Sequence, residues 1–162
     1  MPIFITLKNS VNYESVKKVA YEYCFGFVTD RLARIGSQIT ALETALTSET
    51  KSSAGDKHET GRAMIQLERE KLGQQLAEAE KTKHLLSKVP RDRSTAAVGL
   101  GTLVVTDVLV YYIAISAGEC KLQNKSVYCI SAATPIAQKV MGQTIGHTFD
   151  FNGKTFTIIA IH

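Results

Sequence analysis

Tryptophan is absent from the 162 residues, cysteine is scarce, and no charge-free apolar run approaches the roughly 20 residues needed to cross a bilayer. Each shortage excludes something. Without tryptophan, an aromatic-walled ligand pocket has little to be built from. The three cysteines, Cys24, Cys120 and Cys129, are odd in number and lack CxxC spacing. They point to neither a disulfide framework nor a zinc site, and burial as small apolar side chains is their ordinary fate. The longest apolar region, residues 98 to 118, is interrupted by Asp107 and reads as strands. The first residues carry no basic segment ahead of an apolar core, so no signal peptide is expected and a reducing cytoplasm is the simplest setting.

What is present is ordinary for a folded chain: 44% hydrophobic and 21% charged residues, with a net charge of +4. The basic balance suits a partner that is acidic or contains nucleic acid. From Tyr21 the apolar positions run Tyr21, Phe25, Val28, Leu32, Ile35, Ile39, Leu42 and Leu46, alternating steps of four and three. That is a heptad seam, and it predicts one helix over roughly 13 to 48. Glu14, Lys17, Lys18, Arg31, Arg34 and Glu43 fall off the seam, as a solvated face does. A second helix carries Met64, Leu67, Leu72, Leu76, Ala79 and Leu86 and is ended by Pro90. Two such helices joined by a short connection bury their seams by folding back on each other. Residues 1–89 therefore read as an antiparallel helical hairpin, with a polar tip at about 49–60.

Residues 90–95, rich in charge and hydroxyls, read as a linker, and 96–162 as a second unit. There LGTLVVT, VLVYYIAIS, SVYCIS, HTFDF and KTFTIIAI are strand-like. Asn152-Gly153 marks a two-residue hairpin turn and Gln123-Asn124-Lys125 a weaker one. Thr134, Pro135 and Gly142 supply the cap, first residue and terminator of one short helix. The fold class is α+β: a long helical hairpin followed by a small antiparallel sheet with one helix against it.

Two segments resemble the Gre family of bacterial transcript-cleavage factors. ISAATPIAQKVMGQTIGHTFDF, residues 130–151, is similar to the family's I-S-x-x-S-P-I-A-x-A-L-x-G-K-x-V-G-D run, with Ser131, Pro135, Ile136, Ala137, Gly142 and Gly146 in step. Gly55-Asp56-Lys57-His58-Glu59-Thr60 resembles the family's tip sequence G-D-x-x-E-N. The resemblance implies a coiled coil joined to an FKBP-like β domain. It also implies that the tip enters the secondary channel of RNA polymerase, near nascent RNA, with no membrane and no small-molecule substrate involved. Asp56 and Glu59 would help hold a Mg2+ ion and a water at the polymerase's own active site, so the endonuclease chemistry belongs to the polymerase and not to this chain.

Other readings stand beside it. Asp56-x-x-Glu59 is also a helix-capping box. Thr60 and Gly61, standing where the family usually has Asn and Tyr, favour a non-catalytic channel-binding regulator of the same shape. A prolyl isomerase or chaperone module rests on the implied FKBP-like fold alone. His58 reads as exposed, and Lys81, Lys83, Lys88, Arg91 and Arg93 as a solvated basic run.

Overall fold

The computed structural model describes residues 11–51, 56–92 and 95–162, with the side chains at 49–51 and 56–58 outside that description. Two long helices lead, α1 (Tyr13–Lys51) and α2 (Asp56–Ser87). Six strands and a short helix follow: β1 (Leu103–Thr106), β2 (Val110–Ala114), β3 (Gly118–Lys121), β4 (Ser126–Ser131), α3 (Pro135–Val140), β5 (Thr148–Phe151) and β6 (Lys154–Ile161). The α+β architecture expected from the sequence is the one observed.

Asn12 starts α1, its side-chain oxygen accepting from the Ser15 amide at 3.2 Å. The distal half of α1 is rich in threonine and serine, residues that weaken helices when their hydroxyls compete for the backbone. Here Thr40, Thr44, Thr47 and Ser48 each donate to the carbonyl one turn back, which satisfies the hydroxyl and keeps the ladder. The seam between the helices is built from Val28 and Ile35 on α1 and Leu72 and Ala79 on α2, all buried.

Two expectations about the helices need correction. Met64 and Leu67 do not belong to the seam, being 67% and 65% exposed. The inward positions of α2 are Ile65, Leu72, Ala79 and Leu86, a strict repeat of seven. Near its start α1 also departs from the expected phase. Phe25 is 45% exposed, and Ala20 and Cys24 face inward in place of Tyr21 and Phe25, while Val28 is buried as expected. The reason is a change of partner: this stretch packs on the sheet as well as on the second helix, so its buried stripe is rotated by one residue.

The strand order is β3-β4-β2-β1-β6-β5. All pairings are antiparallel except β2 with β4, which is parallel, a departure from the all-antiparallel sheet expected. After β2 the chain reverses into the edge strand β3 and reverses again into β4. The second reversal slots β4 between β3 and β2, pointing the same way as β2. The edge strand, GECK, was not among the expected strands because it has no apolar alternation. Its charges suit an edge, where unpaired backbone groups must not recruit another chain.

Alternation along the strands divides the sheet into two buried faces. Leu103, Tyr112, Ala114, Val127 and Cys129 share one cluster with Ala20, Cys24, Val28, Leu86 and Val89 from the helices. Val104, Tyr111, Ile113, Phe149, Phe156 and Ile158 share the other with Ile136, Ala137 and Val140 of α3. A sheet covered on both sides needs near-continuous apolar strands, which explains the runs of the 98–118 region. No helix among the described residues is long and apolar enough to cross a membrane.

The local signals of this half behave as expected. Asn152 and Gly153 take φ of 51° and 75°, the pair of positive values that a type I′ turn requires. Thr134 caps α3 by accepting from Ala137 at 3.3 Å, with Pro135 following and Gly142 beyond the end at φ 76°. All three cysteines are free and buried.

Candidate functional site

The end of α1 at Lys51 and the start of α2 at Asp56 lie at the end of the hairpin remote from the sheet. From Leu86, which packs on the sheet cluster, back to Glu59 there are 27 helical residues, a length of about 40 Å at 1.5 Å rise per residue. The described polar tip therefore projects well clear of the β domain. Asp56 is the first residue of α2, and Glu59 lies in its first turn and is exposed. An acidic first turn is favoured by the four unpaired amides and the dipole at a helix start. That local preference accounts for where the carboxylates sit without settling what they contact. The side chains of Asp56 and His58 lie outside the described residues, as do residues 52–55 entirely.

Towards the tip the hairpin is held by half-buried Ile39, Leu42, Leu46 and Ile65. One cross-helix pair, Arg69 with Glu43 at 3.5 Å, is more than half exposed on both sides and adds little. The described part of the tip thus carries the exposed Glu59 above a thin core.

Among the described residues no group of three or more His, Cys, Asp or Glu converges on a point where a metal ion could be held. Two carboxylates in one helical turn do not make a magnesium cage. They match the way magnesium is usually bound, by one or two carboxylates together with phosphates and water supplied from elsewhere.

No protein-family model matches this sequence, and no curated protein shows significant similarity to it. Among solved structures, the transcription factor Gfh1 is similar over 90% of this chain and 94% of its own, at 20% identity and a TM-score of 0.34. A likeness at that level carries no argument about function, so the residues themselves must.

A second concentration of polar groups lies at the other end of the hairpin. Where the start of α1 meets residues 91–92, β2 and His162, a cavity of about 520 Å3 opens. Lys17, expected on a solvated face, is only 8% exposed and lines it. Burial lowers the Lys17 pKa, against an opposing pull from Asp92 and Glu14. Arg91, expected in a solvated basic run, is exposed but lays its guanidinium 3.9 Å from the centre of the Tyr21 ring. Lys81, Lys83 and Lys88 are exposed as expected, and Arg93 lies outside the described residues. Lys17 lies three residues before Ala20, on the shifted stripe and not on the heptad phase that starts at Tyr21, so the sequence spacing gave no signal for it. Tyr112 and His162 carried no motif and could not have been found from sequence.

Proposed function

We propose that this chain is a Gre-type transcription factor that inserts its helical tip into the secondary channel of bacterial RNA polymerase and stimulates cleavage of backtracked transcripts. The observation that carries the reading is the position of Asp56 and Glu59 in the first turn of α2, about 40 Å along the hairpin from the sheet cluster. The sequence similarity of residues 55–60 and 130–151 to Gre factors supports it.

In this reading the polymerase performs the hydrolysis. Asp56 and Glu59 would hold a Mg2+ ion jointly with groups of the polymerase site, where the ion would stabilise charge on the attacking and leaving oxygens. The carboxylates of this chain position and orient, and the β domain rests at the channel's rim.

The test is cleavage of backtracked elongation complexes by the cognate polymerase. Wild-type protein is expected to accelerate it, and Asp56→Ala with Glu59→Ala to lose the acceleration while still binding. Cleavage no faster than in buffer, or undiminished in the double variant, refutes the catalytic role. A second reading is favoured by Thr60 and Gly61 directly after Glu59. It is a regulator that occupies the channel without promoting cleavage. Polymerase binding with inhibition of initiation and no cleavage supports it, and absence of binding removes both.

A further inference from the structure

The three cysteines come from three different elements and end in one place. Cys24 lies on α1, Cys120 on β3 and Cys129 on β4, and all are buried in the cluster that joins hairpin to sheet. None is bonded to another.

Geometry singles out one pair. Cys129 Sγ lies 4.0 Å from the carbonyl oxygen of Ala20, so this side chain reaches the backbone of α1. Cys24 stands one turn further along the same buried stripe, and positions four apart are neighbours on a helix. With small residues at the contact, α1 and β4 approach within 8 Å between Cα atoms, near the roughly 4.4–6.8 Å that a disulfide spans. Cys120 is placed differently. It faces Val127 across the β3–β4 ladder while Cys129 faces Gly118, so the two cysteines are diagonal neighbours on one face. Diagonal side chains start some 7 Å apart, beyond the roughly 4.5 Å between the Cβ atoms of a disulfide.

The two thiols of the closer pair are also unlike. A hydrogen bond from Cys129 to the Cys24 sulfur lowers the Cys24 pKa against the effect of burial, and the same bond raises that of Cys129. Cys24 is therefore the nucleophile and Cys129 the resolving thiol. Tyr112 belongs to this cluster and also lines the base cavity, so a water-sized oxidant in the cavity is one side chain away from the sulfurs. The buried Tyr112 hydroxyl has no hydrogen-bond partner among the described residues, and it can donate to an oxygen carried to that place.

We propose that Cys24 and Cys129 form a reversible disulfide in response to hydrogen peroxide, locking α1 to β4. The Cys24 thiolate attacks one peroxide oxygen and the O–O bond breaks. Hydroxide leaves, takes up the proton that Cys24 lost, and Cys24 becomes a sulfenic acid. Cys129 then attacks that sulfur, an S–S bond replaces the S–O bond, and the departing hydroxide takes the Cys129 proton. Two thiols are oxidised and one peroxide is reduced to two waters. Small thiols reverse the bond by exchange. The site is separate from the tip carboxylates and does not depend on the transcription reading.

The experiment exposes the reduced full chain to dilute hydrogen peroxide and maps its peptides by mass spectrometry without reduction. A cross-link between the Cys24 and Cys129 peptides is expected, retained in Cys120→Ala and removed by dithiothreitol. In Cys129→Ala, oxidation should stop at a Cys24 sulfenic acid that dimedone traps. Oxidation of the wild-type chain should raise its melting temperature by roughly 5–10 °C, because the bond closes a long loop of the unfolded chain. The wild-type mapping and melting need no variant, so a substitution that failed to fold would leave the test intact. No cross-link, one made through Cys120 instead, or one that forms only in urea overturns the proposal. An oxidised chain that melts no higher than the reduced one overturns the lock.

Discussion

The Tyr23 hydroxyl donates to the carbonyl oxygen of Ala117 at 3.1 Å, tying α1 to the chain just before β3 across 94 residues of sequence. It is a direct polar tether between hairpin and sheet. Tyr23→Phe is expected to cost about 1 kcal/mol in urea unfolding, the usual net worth of one such bond. A change below a few tenths would mean that this bond adds nothing to the joint between the two parts.

A tighter joint lies at Gly101. Its φ is 83°, and a Cβ there would meet the Pro90 carbonyl oxygen at 2.4 Å. Both the backbone conformation and the space exclude a side chain, so the segment leaving α2 is seated directly on the turn before β1. Gly101→Ala should destabilise by roughly 3 kcal/mol, combining positive-φ strain with a backbone collision. Thermal melting of the variant checks it, and a wild-type melting temperature would contradict the close approach.

The corrected phase of α2 separates two leucines that look alike in sequence. Leu72 is buried, whereas Leu67 is 65% exposed. Leu72→Ala is expected to cost about 2–3 kcal/mol and Leu67→Ala less than about 0.5. Equal losses in denaturant unfolding would restore the looser repeat read from sequence.

At the hairpin base, burial lowers the His162 pKa from the ordinary 6.5, with the Lys17 charge adding to the effect. The sign follows from linkage. On acidification the unfolded chain takes up its proton first, so this group's contribution is intact above about pH 6.5 and is lost as pH falls towards the depressed folded value. NMR titration should find the His162 ring protonating below the ordinary histidine range. In His162→Phe, the fall in stability below pH 6.5 should be shallower.

Much of the fold was legible in the residues because it is written in local rules. Asn152-Gly153 demands a particular turn, Thr134-Pro135 starts a helix, and the four-three spacing from Tyr21 makes a seam. What stayed hidden is set by partners far away in sequence. Nothing near Phe25 announces that the sheet, as well as the second helix, lies beside it, so the stripe shift to Ala20 and Cys24 was invisible. GECK becomes a strand because β4 offers it a ladder, not because of its own pattern. The tip carboxylates could be picked out as a pair of acidic residues at a helix start, though capping and metal binding ask for the same spacing. The cavity residues Tyr112 and His162 come together only through the fold.

The continuity of α1 from the sheet cluster into the hairpin makes it a lever. Its seat on the sheet, from Ala20 to Val28, is about 12 Å long, and from Val28 to Lys51 it extends about 35 Å further. Pivoting within that seat multiplies displacement nearly threefold, so a 1 Å repacking around Cys24 or Tyr112 swings the far end by roughly 3 Å.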